Sequence, residues 1–447
     1  MYKASQFNFL TKKNSEGVLI YNSLEGNLVH LENEYEINLA KKYNKKNRLF
    51  DQEIENNDVF NFFIESGFLV ESEKNEAIEL ERLIQKREED PTLFITIMPT
   101  EDCNFRCVYC FEHFKRGSME VEIQDGIVNF IKKMLSKGLY TSLHINWFGG
   151  EPLHAFEVVE LLSIKLIKLS QEMDVDYSSS ITTNGYYLNK ENFKKLIDLN
   201  ITYYTITLDG LAEDHDKTRI LANGCGTFNE ISENLKNMTK TNYEFFVQIR
   251  NNYTLDSLNK LDGFLEYLKN NICKDYRFEN VDIRPIFDNG GYNAGNFDDC
   301  VSSKKISKYK GLEKAHEYGL HNLSLKNYIR PGGIVCNASK PNYWLFGADG
   351  KIMRCNVELD TEERNIVGQI KDANNYVIDF TKLSLWIDAG KKDKVCKSCF
   401  FAPSCQGAYC ASLRFNNERL NINKQPCPEE KKALSDLLEI LFKEMMN

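Results

Sequence analysis

"LFITIMPTEDCNFRCVYC", residues 93–110, is an almost unbroken apolar run that stops at Pro99 and passes into a loop carrying Cys103, Cys107 and Cys110. The first half predicts a buried strand, because a short apolar run bounded by a proline suits the interior of a sheet covered on its faces. The second half places three thiols just past the carboxyl end of that strand, with no fourth cysteine nearby. Downstream, "LHINWFGG" (143–150), "SSSITTNG" (178–185), "YYTITLDG" (203–210), "FFVQIRNNY" (245–253) and "VDIRPIF" (281–287) repeat the strand signal. Amphipathic stretches such as "EIQDGIVNFIKKMLSKG" (122–138) and "LNKLDGFLEYLKNNI" (258–272) separate them. Six strand–helix units in succession predict an α/β parallel sheet, either doubly wound or curled into a partial (β/α)6 TIM-like barrel. In both, chemistry gathers at the carboxyl ends of the strands. The cysteine triplet, "GGEP" (149–152), "TNG" (183–185) and "LDG" (208–210) all fall there.

The flanks differ in character. Residues 1–88 read as a small winged-helix-like domain: "GVLIYNSLEGNLVHL" (17–31) is two strands around a turn, and "FNFFIESGFLVES" is a helix stopped by Gly67 before a short strand. The charged stretch 73–90 reads as a bridging helix ended by Pro91. The core region then spans 89–290, a bridging region 291–335, and a cysteine-rich, irregular domain 336–447 that ends in a helix.

Composition excludes several classes. The chain has 447 residues, 42% of them hydrophobic, with a formal net charge of -9. The acidic balance argues against a nucleic-acid partner, and the basic run "KKYNKKNR" (41–48) reads as a solvated helix face. No apolar run approaches the roughly 20 residues of a membrane span, and the first residues lack the pattern of a secretory signal. A cytoplasmic location without membrane attachment is expected. Thirteen cysteines in such a chain imply metal rather than disulfides. A four-iron cluster held by three thiolates leaves one iron open to a ligand with two donor atoms, such as the amino and carboxylate groups of a methionine. Zinc remains the alternative, with His113 as a further ligand.

The spacing Cys-x3-Cys-x2-Cys, with Tyr109 before the last cysteine, resembles the radical S-adenosylmethionine (SAM) superfamily. That resemblance implies SAM and a [4Fe-4S] cluster on Cys103, Cys107 and Cys110 as the catalytic centre. It places Gly149, Gly150, Glu151 and Pro152 at the amino group of SAM and Thr207 at its carboxylate, with Arg219 as a second candidate there. Thr183 and Asn184 fall near the nucleoside, and Asn252 matches the corresponding fifth-strand position. The C-terminal cysteines resemble the SPASM domain, which holds two auxiliary [4Fe-4S] clusters. By that resemblance Cys336, Cys355 and Cys410 serve cluster I, and Cys396, Cys399, Cys405 and Cys427 serve cluster II. Four residues rather than the usual three separate Cys405 from Cys410, and a zinc ribbon of Cys396, Cys399, Cys405 and Cys410 stays open as an alternative. For cluster I the motif supplies three thiols; Cys300 is the nearest further candidate, and an open iron is the favoured expectation.

SPASM proteins mostly modify peptides or proteins, and residues 1–88 resemble the leader-recognition domains of enzymes acting on ribosomally made peptides, which bind an extended leader as an added strand. The expected function is maturation of a leader-bearing precursor peptide, with thioether cross-links from substrate cysteines and an external flavodoxin- or ferredoxin-like electron donor. The alternative is a sulfatase-maturing, formylglycine-generating enzyme, against which Phe148 and the N-terminal extension count. A non-catalytic iron-sulfur or zinc scaffold is the reading from another class. Separate recognition and chemistry also imply that removing residues 1–88 spares SAM cleavage.

Overall fold

Side chains alternate across a strand, so Leu93, Ile95 and Ile97 point to one side of the first strand and Phe94 and Thr96 to the other. The computed structural model describes residues 1–12, 17–55, 57–278, 280–286, 309–322, 325–391, 393–419 and 426–446. In it the first strand (β1, Thr92–Ile97) pairs in parallel with β2 (Ser142–Trp147). The series continues in parallel through β3 (Asp176–Thr183), β4 (Ile201–Thr207), β5 (Phe246–Tyr253) and β6 (Asn280–Pro285). Strand order follows chain order without reversal. A doubly wound sheet needs a reversal at its switch point, so the partial-barrel winding is the one adopted. Right-handed crossovers in a single direction put the helices on one face, among them α1 (Val121–Leu135), α2 (Phe156–Glu172), α3 (Lys190–Asp198), α4 (Phe228–Thr239) and α5 (Leu261–Asn271).

The two faces of the sheet have opposite chemistry. Ile95, Ile145, Ile181, Ile206, Ile249 and Ile283 are buried on the helix side. On the other face the register sets Thr96 beside Asn146 and Asn146 beside Ser180, then Thr182 beside Thr205, Thr207 beside Arg250, and Arg250 beside Asp282. These groups bond to one another: across strands Ser180 Oγ donates to Asn146 Oδ1 at 3.0 Å and Arg250 pairs with Asp282 at 3.3 Å, and within β6 Arg284 pairs with Asp282 at 2.8 Å. Polar side chains in that density do not make an apolar core; they line a space for polar ligands.

The sheet extends beyond its six expected strands. β7 (Tyr343–Phe346) lies parallel to β1, and β8 (Lys351–Met353), β9 (Ile366–Ile370) and β10 (Tyr376–Ile378) follow in antiparallel order. This corrects the irregular character expected for the region. Three of these strands are only three or four residues long, too short for a periodic signal, and β7 is stabilised by a partner some 250 positions earlier.

By contact the chain divides into two units, one of residues 1–89, 324–341 and 385–447, the other of 90–323 and 342–384. That grouping cuts across the linear division at 88, 290 and 335. In the first unit, strands Val18–Asn22 and Asn27–Leu31 form the expected hairpin, and Asn8–Leu10 adds outside it. The helix Asp58–Glu65 ends at Gly67, whose φ of +74° suits glycine, before strand Leu69–Glu71. Val18, Ile20, Ile37, Phe60, Phe63 and Phe68 build its core. The C-terminal pieces complete this packing: Phe7 and Leu80 pack with Ala402, Phe9 stacks on Phe400 at 5.2 Å, Ser23 Oγ donates to the Phe400 carbonyl, and Tyr21 Oη donates to the Ile329 carbonyl.

Candidate active site

The loop after β1 has little regular structure of its own and is held by two neighbours. On one side "GGEP" packs against it backbone to backbone. Gly150 N donates to the Thr100 carbonyl at 3.3 Å and Glu151 N to the Asp102 carbonyl at 2.9 Å. A Cβ on Gly150 would fall 2.4 Å from the carbonyl oxygens of Glu101 and Asp102, and Gly149 has φ +119°. Both glycines are therefore required by close approach. Glu151, 1% exposed, turns inward: its carboxylate accepts from Thr183 Oγ1 at 2.7 Å, Asn184 N at 2.7 Å and Leu153 N at 3.0 Å. Asn184 Nδ2 reaches back to Asn104 Oδ1 at 2.8 Å and lies 3.9 Å from Cys103 Sγ. Glu151, Thr183 and Asn184, expected around SAM, are thus brought together, and Pro152 opens a short helical turn beside them.

On the other side the segment after β4 runs along the loop. Arg106 N donates to the Ile220 carbonyl at 2.8 Å, Val108 N to Thr218 at 3.0 Å, and Ala222 N to Asn104 at 2.9 Å. Beneath this contact lies a buried network that joins Tyr109, Arg219 and Asn252, all three expected near the cofactor, through Asp209 and His215, which the sequence did not single out. Asp209, at the end of β4, accepts from Tyr109 Oη, from Asn252 N at 3.0 Å and from Asn252 Nδ2 at 3.2 Å. Tyr109 Oη accepts from Arg219 Nη1 at 3.0 Å, and the Arg219 guanidinium sits over the Phe105 ring at 5.6 Å. Arg219 Nε is buried with no hydrogen-bond partner among the described residues. The Asp209 amide donates to His215 Nδ1 at 3.1 Å, and His215 Nε2 meets Thr227 Oγ1 at 3.0 Å. The spacing Asp209-x5-His215-x3-Arg219 in one segment was the available signal. Thr207 is buried at the end of β4, in register with Arg250.

Cys107 and Cys110 lie close enough to Cys103, and Cys107 to Cys110, for their charges to act. Burial raises Cys103 and Cys107 and pushes Cys110 up to about 12, with neighbouring thiols adding to the first and last. Thiolates crowded and buried in this way need a metal's charge. In the first unit, burial likewise pushes Cys405 up to about 12, with Cys399, Cys396 and Cys427 contributing. Arg414 Nη2 donates to Cys396 Sγ at 3.1 Å, and Lys431 Nζ lies 3.7 Å from Cys427 Sγ. Among the described residues no three cysteine sulfurs lie mutually within 4.8 Å. Tetrahedral zinc, with sulfur at about 2.3 Å, would draw them to roughly 3.8 Å. Cys355 belongs to the second unit, its amide and carbonyl both held by Asn365 at 2.7 and 2.8 Å. Cys336 and Cys410 belong to the first, where Cys336 N donates to the Ala408 carbonyl at 3.0 Å. Cys300 lies outside the described residues.

A charged cluster adjoins the loop. Arg116 pairs with Glu101 at 2.6 Å, Asp360 at 2.7 Å and Asp349 at 2.9 Å. Both carboxylate oxygens of Glu112 are buried without a hydrogen-bond partner among the described residues, and burial pushes its carboxyl up to about 8.

Comparison with known proteins agrees with this geometry. Residues 97–255 match the family model described as the Radical SAM superfamily. The chain is 28% identical over 347 residues to the radical SAM cyclopropyl synthase TigE of Paramaledivibacter caminithermalis, covering 70% of this chain and 67% of that protein. It is 28% identical over 194 residues to a cysteine-type anaerobic sulfatase-maturating enzyme of Clostridium novyi, covering 42% of this chain and 50% of that one. The solved structure of native anSMEcpe with bound AdoMet and Cp18Cys peptide shares the fold, with a TM-score of 0.55 and 19% identity over 80% of this chain and 100% of its own. Sheet order, cysteine loop and the match to the Radical SAM superfamily model coincide on one stretch of sequence, residues 97–255.

Proposed function

We propose that the chain is a radical SAM enzyme that matures a ribosomally made precursor peptide, with thioether formation from substrate cysteines as the favoured reaction. Cys103, Cys107 and Cys110 hold the catalytic [4Fe-4S] cluster; Cys336, Cys355 and Cys410, and Cys396, Cys399, Cys405 and Cys427, hold two auxiliary ones. When bound, the cluster and SAM supply a one-electron cleavage to methionine and a 5′-deoxyadenosyl radical able to abstract hydrogen from carbon. An external flavodoxin- or ferredoxin-like donor provides the electron. The residues of this chain bind and orient: Thr207, Arg219 and Asn252 toward the carboxylate and nucleoside of SAM, and the polar inner face of β2–β6 toward polar substrate groups.

The observation that carries the reading is the three-thiol loop clamped at the carboxyl edge of the sheet with no fourth cysteine in its own stretch. The peptide substrate is supported by the N-terminal hairpin sheet, whose outer strands Asn8–Leu10 and Asn27–Leu31 each pair on one side only among the described residues; an extended leader can add there. The likeness to a cyclopropyl synthase favours a second reading, carbon–carbon bond formation. The test is anaerobic incubation of reconstituted protein with SAM, dithionite and a leader-bearing cysteine-containing peptide. 5′-Deoxyadenosine and a product lacking two hydrogens are expected. A product whose cysteines resist alkylation is a thioether; one whose cysteines all alkylate carries a carbon–carbon bond. No SAM cleavage would sink both and leave a non-catalytic iron-sulfur scaffold.

A further inference from the structure

Tyr109 lies between Cys107 and Cys110 in sequence, and its hydroxyl bonds to residues at the ends of β4 and β5. Both lone pairs of that oxygen are in use, one toward Arg219 Nη1 at 3.0 Å and one toward Asn252 Nδ2 at 3.2 Å. Its single proton must go to Asp209, whose carboxylate accepts it. Asp209 is 2% exposed and takes two further bonds from Asn252 on its other oxygen. Thr218 Oγ1 also lies 3.4 Å from the Asp209 oxygen that Tyr109 meets, while at the phenol itself the donors and acceptors have one consistent assignment. The phenol joins the cysteine loop, the end of β5 and the buried Arg219 at one point.

From this geometry we infer that Asp209 is a positioning residue for SAM: acting through the Tyr109 hydroxyl, it fixes the Cys107–Cys110 turn and the Arg219 guanidinium in the relation that the bound cofactor needs. Asparagine cannot replace it in either orientation. With Nδ2 toward Tyr109, a third donor faces an oxygen with no lone pair left. With Oδ1 toward Tyr109, Nδ2 faces the amide and Nδ2 of Asn252, donor against donor. Burial adds to this: Asp209 and Arg219 are both enclosed, and Asp209 is the carboxylate held against the arginine's charge through the phenol. The substitution removes none of the three thiols, although the Asp209 charge acts on Cys107, so iron content and cofactor binding are measured side by side.

The inference rests on the radical SAM reading, and the experiment distinguishes failure of the two. Wild type, Asp209→Asn, Tyr109→Phe and the double variant are reconstituted anaerobically; iron content, SAM Kd and the change that SAM induces in the electron paramagnetic resonance of the reduced cluster are measured. Wild type that shows no response to SAM refutes the functional reading. With wild type responding, each single variant should keep its iron, bind SAM about tenfold or more weakly, as expected for a buried charge-assisted hydrogen bond, and show a diminished spectral change. Because the two residues act as one unit, the double variant should bind no worse than the singles. Unchanged Kd values, losses that multiply in the double variant, or loss of cluster iron in Tyr109→Phe would each overturn the inference. Should Asp209→Asn fail to fold, Tyr109→Phe, which keeps the ring and its packing, decides alone.

Discussion

Acidification should loosen the segment after β4 through one histidine. His215 is fully buried, and its ring is fixed as the neutral tautomer. Thr227 Oγ1 gives its own proton to the Arg219 carbonyl at 2.7 Å, so His215 Nε2 must donate to it, while Nδ1 accepts from the Asp209 amide at 3.1 Å. Protonating Nδ1 would set two N–H groups against each other. Burial, with the Arg219 charge, holds the folded pKa well below the ordinary value. In the unfolded chain His215 titrates near 6.5. Its contribution is therefore fully present above pH 6.5 and is lost as pH falls, because only the unfolded state takes up the proton. Between pH 7.5 and 5.5 the loss is about 1.4 kcal/mol, roughly tenfold in the opening equilibrium. Hydrogen exchange of peptides spanning 209–227, corrected for the intrinsic pH dependence, should show that tenfold fall in wild type. His215→Asn, whose Oδ1 can still accept from Asp209 N, should be weaker at every pH but lack the additional fall. Parallel behaviour of the two proteins would refute the tautomer and the linkage.

Replacing Cys103, Cys107 and Cys110 together by alanine should remove about four irons per chain and all 5′-deoxyadenosine formation; undiminished cleavage in a SAM assay would refute the assignment. Gly150→Ala should disrupt the cysteine loop, since the new methyl meets two backbone oxygens at 2.4 Å; an overpacking cost of about 3 kcal/mol predicts a lower melting temperature and poor iron loading at the first cluster. Deleting residues 1–88 should release iron from the Cys396, Cys399, Cys405 and Cys427 set, because Phe7, Phe9 and Leu80 pack against Phe400 and Ala402; full auxiliary iron in the truncated protein, by Mössbauer quantitation, would show the packing dispensable.

What was legible in the sequence follows from range. The six strands of the sheet were readable because each carries its own apolar signal: "LFITIMP" lies on Thr92–Ile97 and "YYTITLDG" on Ile201–Thr207. The two glycines of "GGEP" were legible as a close backbone approach, and the structure supplies the partner, the carbonyls of residues 100–102. Glu151 was singled out by resemblance, and the sequence does not say that its acceptors are filled by Leu153, Thr183 and Asn184. Asp209 was marked only as part of "LDG" at a strand end, and its partner Tyr109 lies a hundred residues before.

The same limit explains the grouping of the two termini, and there it bears on function. A sequence read from left to right makes residues 1–88 a detachable recognition module, because Pro91 and the charged helix before it look like a linker. The structure joins it to the Cys396–Cys405 segment by a shared apolar cluster that also borders Cys399. A strand added at the hairpin edge would therefore load a unit that also carries the cysteine-rich segment: Val18–Asn22 supplies both the centre of the hairpin sheet and Tyr21, which bonds Ile329 beside Ser404. The proposed peptide recognition and auxiliary-cluster support would thus be properties of one folded unit, and a substitution at Tyr21 or Ser404 is expected to move both together.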